Sequence, residues 1–158
     1  MHARAFSLIE LVIVVVIIAI IGAIAIPRMS RGAAGAADSK LIADLATMRK
    51  AIDLFTTEHG GQYPKLTMIV ADLTLYSDDA GTSAQTNADS THIYGPYLRA
   101  IPALSIGVNK NHISIGGPSV DPSSATGIGW IYDETVGTIK ANASDSEVDA
   151  SGKAYNKY

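Results

Sequence analysis

Residues Ala5 to Ile26 read AFSLIELVIVVVIIAIIGAIAI, a stretch with one ionisable side chain, Glu10, and an apolar run that continues from Leu11 to Ile26. Its richness in Val and Ile would favour a strand in water, but length overrules that preference. Strands seldom exceed about ten residues, and an isolated strand leaves its backbone unsatisfied in lipid. At a rise of about 1.5 Å per residue, about 20 residues cross the roughly 30 Å hydrocarbon core, so the predicted element is a membrane-spanning helix. Pro27 falls at the predicted lipid boundary. It removes one helical hydrogen bond, and because the helical pattern resumes beyond it, a kink is expected there and not a stop.

A secretory signal is the competing reading of the same residues. Met1 to Arg4 would be its charged region, Leu11 to Gly22 its apolar region and Ala23-Ile24-Ala25 its cleavage site. Glu10 argues against this, because an ordinary signal has no use for a carboxylate at the head of its apolar run. An ionisable group at membrane depth costs several kcal/mol on most scales and marks a functional site with a partner to be named.

The order Ala5-Phe6-Ser7-Leu8-Ile9-Glu10, after a short leader carrying Arg4 and before an apolar run ending in Pro27, resembles the class III signal of type IV prepilins. The resemblance implies that a prepilin peptidase cuts between Ala5 and Phe6 on the cytoplasmic side, methylates the new amino terminus at Phe6 and leaves the apolar helix attached. The family usually carries Gly where this chain has Ala5, another small side chain. Glu10, the fifth residue of the mature chain, then matches the assembly glutamate of the family. A carboxylate in lipid needs a counter-charge, and an α-amino group with a reference pKa of about 7.7–8.0 supplies one, methylated or not. Phe6 and Glu10 lie about one helical turn apart, so pairing within a chain or between chains is open, and the resemblance favours the interchain pair. At about 4 Å such a pair attracts by about 4 kcal/mol at an effective dielectric of about 20, before desolvation is subtracted. Most of the docking energy must therefore come from apolar helix packing. Arg4 before the span and Arg28 and Arg31 after it leave orientation undecided by charge, and it is the resemblance that places the amino end in the cytoplasm.

Beyond Ser30 the chain turns polar but keeps helical spacing, with Leu41, Leu45, Met48, Ile52 and Phe55 forming one apolar stripe. Asp38, Lys40, Asp44, Arg49, Lys50 and Asp53 largely take the other faces, and Gly60-Gly61 gives a stop signal. The stripe reads as core packing over a small sheet. Gly32 to Ala37, all Gly and Ala, is a weak helix interior expected to bend or locally melt. Leu66 to Tyr76 reads as a short second helix, and the Asp-, Ser-, Thr- and Ala-rich stretch Ser77 to Thr91 as a mobile surface loop. Ser105 to Val108 and His112 to Ile115 read as two strands about a turn at Asn109-Lys110-Asn111. Gly129 to Asp133 pairs with Thr138 to Ala141 across a turn ending at Gly137.

The expected fold is therefore α+β, with a long amino-terminal helix packed through its second half on a small antiparallel sheet. Such a sheet is too small to stand without the helix. The expected divisions are a leader at 1–5, an assembly helix at 6–27, its amphipathic continuation at 28–59 and a sheet domain at 60–158. Tyr97 to Pro102 and the Gly129-Trp130-Ile131-Tyr132-Asp133 hairpin look like segments of major pseudopilins, which extends the resemblance over most of the chain.

Chemistry is harder to find. Four histidines are scattered without metal-ligand spacing, and no nucleophile elbow, zinc-protease motif or P-loop is present, so an enzyme is not expected. A net charge of −3 argues against a nucleic-acid partner, and zero cysteines exclude a disulfide framework. The tail Asp145-Ser-Glu147-Val-Asp149 alternates carboxylates as a calcium loop does, although Ala150 stands where an EF-hand needs Gly. It reads either as a solvated acidic tail or as a Ca²⁺ site, and major pseudopilins resemble the latter.

The resemblance as a whole is to the type IV pilin-like family, and most to a major-type pseudopilin of type II secretion. It implies a structural subunit, single-pass in the inner membrane, with its carboxy-terminal domain in the periplasm or on an extracellular filament. Implied partners are further copies of the chain, other pilin-like subunits, the prepilin peptidase, the membrane and an inner-membrane assembly platform. A type IV pilus subunit and a membrane-tethered binding module that never polymerises are the alternative readings.

Overall fold

A computed structural model describes residues 7–158. The chain divides into two compact units, 1–36 and 37–158. Helix α1 runs without a break from Leu8 to Glu58, so Pro27 does not stop it, and the Gly32 to Ala37 stretch is helical, which removes the melted alternative of the two expected there. The boundary between the units nevertheless falls at the end of that Gly/Ala stretch, where no large side chain is available to pack.

The second unit is built on the predicted stripe. Leu41, Leu45, Met48, Ile52 and Phe55 are all buried, joined by Ala51 one turn along the same face. Fully burying one such side chain contributes about 1.5–3 kcal/mol. They pack in one cluster with Trp130, Tyr132, Ile139 and Ala141 from a sheet and with Leu98, Ile101, Leu104 and Ile106 from the segment preceding it. That sheet has the order β4 (Ser114–Gly116), β5 (Ile128–Asp133), β6 (Thr138–Ala141). The β5–β6 hairpin is antiparallel in the expected register, with Trp130 opposite Ala141 and Tyr132 opposite Ile139. Two hydrogen bonds anchor the aromatic side chains of β5: Trp130 Nε1–H donates to Pro102 O at 2.8 Å and the Tyr132 hydroxyl donates to Pro64 O at 2.9 Å.

Two expectations are corrected. Ser105 to Val108 is not a strand, and β4 pairs with β5 in parallel, not with Ser105 to Val108 as a hairpin. Residues 104–112 form a loop closed by Asn111 N–H to Leu104 O (2.8 Å) and Leu104 N–H to His112 O (3.1 Å). Positive φ at Gly107 and at Asn111 turns the backbone away from a strand. Buried Asn109 pins the loop by donating to Asn142 O and accepting from the Thr126 amide, each at 3.1 Å. The apolar residues there serve the core and not a ladder.

The segment from Ser77 to Thr91 is also more than a loop. With its flanks it forms an antiparallel meander, β2 (Ala84–Gln85), β1 (Tyr76–Asp78), β3 (His92–Tyr94), with β1 central. The polar residues that suggested solvent are its turn-formers. The Asp78 carboxylate accepts from the amides of Thr82 (2.7 Å) and Ser83 (3.0 Å) and from the Thr82 hydroxyl (2.8 Å). Gly81, at φ +61°, packs against Phe55, and a Cβ there would lie 2.7 Å from the ring Cζ.

Helix α2 (Ile69–Thr74), inside the predicted second-helix span, buries Ile69, Leu73 and also Asp72. Neither Asp72 carboxylate oxygen has a hydrogen-bond partner among the described residues. Burial, with a smaller contribution from Asp78, pushes its carboxyl up to about 7. A folded-state value raised above the unfolded one costs nothing below about pH 4, where both states are neutral. The cost grows as pH rises and levels off above about 7. Asp72→Asn should therefore stabilise the chain at neutral pH by on the order of 2–4 kcal/mol and flatten the fall of melting temperature between about pH 4 and pH 8. Calorimetry of the detergent-solubilised protein checks this, and parallel curves for the two proteins would refute it.

Candidate functional site

The amino-terminal unit carries the first candidate. From Leu8 to Ala25 the helix is apolar enough to cross a membrane, and none of that window is buried within the chain. Leu8 is 79% exposed and Ile24 still 56%. A continuous apolar surface on this scale is stable only against lipid or against other helices. Ala5 and Phe6, the predicted processing residues, lie outside the described residues. Glu10 is described, and its Oε2 accepts the Ser7 amide N–H at 2.9 Å. With Ser7 directly before the first helical residue, this is half of a capping box: the carboxylate three residues into the helix covers an amide that has no intrahelical acceptor. The spacing Ser-x-x-Glu was legible in the sequence. Its capping use adds a second role to a residue first read as an assembly charge.

The acidic tail is the second candidate, and the structure separates its three carboxylates by task. Asp145 accepts from the Asn156 side chain at 2.8 Å and pairs with Lys157 at 3.3 Å. Glu147 bridges two segments, one oxygen taking the Val108 amide at 2.6 Å and the other the Ser144 amide at 2.9 Å. Asp149 is bound by the Tyr158 hydroxyl and receives the Ser151 hydroxyl and amide and the Lys153 amide. The Tyr158 hydroxyl first, and these donors after it, hold its carboxyl far below the usual range. Among the described residues no three His, Asp or Glu side chains are grouped to hold a metal ion. A Ca²⁺ ion needs six to eight oxygens around one point. Oxygens already facing N–H and O–H donors in three separate places do not fit it.

What the tail does is close the domain. Arg49 of α1 donates to Ile139 O (3.2 Å) and to the main-chain oxygen of Tyr158 (2.6 Å), and the Tyr155 hydroxyl donates to Asp38 of α1 at 2.9 Å. The 3-10 turn Tyr155–Lys157 is thereby tied to the helix.

A third arrangement escaped the sequence reading. On the meander, Ser83, Asp89 and His92 come together: His92 Nε2 lies 2.9 Å from Ser83 Oγ, and His92 Nδ1 lies 3.0 Å from Asp89 Oδ1. Asp89 also accepts from the His92 amide (2.7 Å) and from the Thr91 amide and hydroxyl (each 2.8 Å), which hold its carboxyl far below the usual range. The three residues match no linear motif. Their proximity follows from the β1–β2 and β1–β3 pairings, in a segment read as unstructured.

Among known proteins, residues 1–26 match a family described as the prokaryotic N-terminal methylation motif. No curated protein and no solved structure matches the chain. The match covers the residues read above as a leader and an apolar run, it supports a type IV pilin-like protein, and the apolar helix is consistent with membrane anchoring.

Breaking the Glu147 bridge tests the tail. Glu147→Ala removes the acceptor of the Val108 amide and of the part-buried Ser144 amide, and should lower stability by about 1–3 kcal/mol. Unfolding curves in calcium and in EDTA should superimpose. A rise in melting temperature with calcium that disappears in Asp145→Ala/Asp149→Ala would reinstate a calcium loop.

Proposed function

We propose that this chain is a structural subunit of a type II secretion pseudopilus, matured by cleavage between Ala5 and Phe6 with methylation of Phe6, and polymerised through its apolar amino-terminal helix to drive protein export. The observation that carries the reading is the run from Leu8 to Ala25, none of it buried within one chain and with Glu10 in its first turn, inside a region that matches the methylation motif. Lipid satisfies such a surface before assembly, and neighbouring copies satisfy it afterwards. Burying one helix among others requires a partner for Glu10. The positive amino terminus of an adjacent subunit meets that need better than the Ser7 amide alone, because a cation balances the carboxylate's charge and a neutral amide does not.

The pseudopilus is preferred to a surface pilus on the closure of the carboxy-terminal segment. A major type IV pilin typically closes that segment with a disulfide, whereas here Glu147, Asp149, Tyr155 and Tyr158 close it by hydrogen bonds and the chain has no cysteine. The inner membrane, with the domain from Ala37 onward on the periplasmic side, is the compartment this reading requires.

Three measurements decide it. Mass spectrometry of the protein from its native membrane should find a methylated amino terminus at Phe6, and a terminus at Ile26 would instead establish a secretory signal. Glu10→Gln should be cleaved and inserted normally, yet yield less than about a tenth of the wild-type filament in sheared or crosslinked fractions, the loss expected when about 1.4 kcal/mol or more is removed from each docking step. Wild-type filament yield from that variant would overturn the assembly role. Filaments confined to the periplasm under electron microscopy would separate the pseudopilus from a surface pilus.

A further inference from the structure

We propose that Ser83 is an activated nucleophile, with His92 as its general base and Asp89 as the positioning residue of that base, and that it takes an acyl group from an activated, uncharged ester. The proposal is independent of filament assembly. It stands on the hydrogen-bonded chain Ser83 Oγ, His92 Nε2, His92 Nδ1, Asp89 Oδ1, with links of 2.9 and 3.0 Å.

The direction of the protons in this chain follows from its acceptors. Nδ1 of His92 faces the Asp89 carboxylate at 3.0 Å and the Thr91 hydroxyl oxygen, also at 3.0 Å, whose own proton goes to Asp89. Nδ1 therefore carries the hydrogen of the neutral ring. Nε2 is left as the acceptor, and the Ser83 hydroxyl donates to it. Five donors converge on Asp89: the Thr91 and His92 amides, the Thr91 hydroxyl and His92 Nδ1 on one oxygen, and the Gln85 side chain on the other at 2.6 Å. They keep it ionised and fixed in place. The His92 side chain is only 15% exposed while Ser83 is exposed, so the base is sheltered and the nucleophile is open to a reagent.

The surroundings narrow the substrate. The amides of Thr82 and Ser83, the nearest backbone donors along the chain, are both turned onto Asp78, so they do not stabilise an oxyanion. Without that stabilisation, worth about 10²–10³ in rate, an amide bond is out of reach, and the acyl group must sit on a good leaving group such as a thiolate or a phenolate. Asp78, Asp79 and Asp89 on the same meander disfavour an anionic acyl donor. In the reaction Ser83 Oγ forms a bond to the acyl carbon as its proton passes to His92 Nε2. The bond to the leaving group then breaks, and that group departs with the proton. Water attacks the acyl-serine by the same route, releasing a carboxylic acid and restoring the hydroxyl.

The chain supplies its own controls. Ser123 and Ser151 are exposed, and each donates its hydroxyl to an aspartate at 2.7 Å, with no histidine bonded to either. The experiment treats the detergent-solubilised full chain with p-nitrophenyl acetate and with a fluorophosphonate, and measures modification of each serine by peptide mass spectrometry. Ser83 should react on the order of 10²-fold faster than Ser123 and Ser151, the contribution of a positioned base. His92→Ala should bring it down to the level of the control serines, and added imidazole should restore part of the difference, which loss of a purely structural contact would not allow. Asp89→Asn should slow the reaction and Asp89→Glu recover it. Equal modification of the three serines in the wild-type protein, or no recovery with imidazole in His92→Ala, would overturn the proposal.

Discussion

The packing of one helical stripe onto one strand supports the whole of the second unit. Leu41, Leu45, Met48, Ile52 and Phe55 meet Trp130 and Tyr132 of β5 in a single cluster that also takes in α2 and the segment before β4. Neither partner is stable alone: a three-stranded sheet with one short parallel edge cannot hide its own apolar face, and an isolated amphipathic helix gains little from propensity. The polar ends of the two aromatic side chains bind Pro102 O and Pro64 O, so the core also fixes the course of the connections that cross it.

The carboxy-terminal segment depends on that same helix from its outer side. Arg49 lies on α1 between two buried core residues, Met48 and Ala51, and reaches both β6 and Tyr158. Asp38, further up the helix, receives Tyr155. With Glu147 bridging to Val108, these contacts do what a covalent crosslink does in small disulfide-bonded domains. They have the difference that each can be broken singly.

Asp72 and the Ser83–His92–Asp89 chain show two opposite treatments of ionisable groups within one small region. Asp72 is buried on α2 with no hydrogen-bond partner for its carboxylate among the described residues, and burial raises its carboxyl, whereas Asp89 is exposed among five donors, which lower it. Burial without hydrogen bonds favours the neutral form and convergent donors favour the ion. The meander is therefore not inert surface, and the turn chemistry that shapes it also aligns the imidazole.

Local sequence was sufficient wherever one periodicity or one composition had a single physical solution. The run from Leu11 to Ile26 has only a helix open to it in lipid, the stripe from Leu41 to Phe55 has one buried face, and the apolar run Trp130-Ile131-Tyr132 with Gly137 at the turn makes one hairpin. The capping use of Glu10 on Ser7 was equally local. What sequence misjudged were segments whose state is set by distant partners. Ser105 to Val108 has the apolar content of a strand, but Asn109 bound to Asn142 and positive φ at Gly107 and Asn111 wind it into a loop. Ser77 to Thr91 has the composition of a loop, but Gly81 seated on Phe55 and pairing with the central strand β1 order it. The acidic tail was read from spacing alone, and it was Val108, Asn156 and Tyr158, remote or beyond the tail's end, that assigned each carboxylate a different task. Spacing along a chain decides which side chains share a face. Which groups share a hydrogen bond is decided by where the core brings separate segments into register, and no local pattern carries that information.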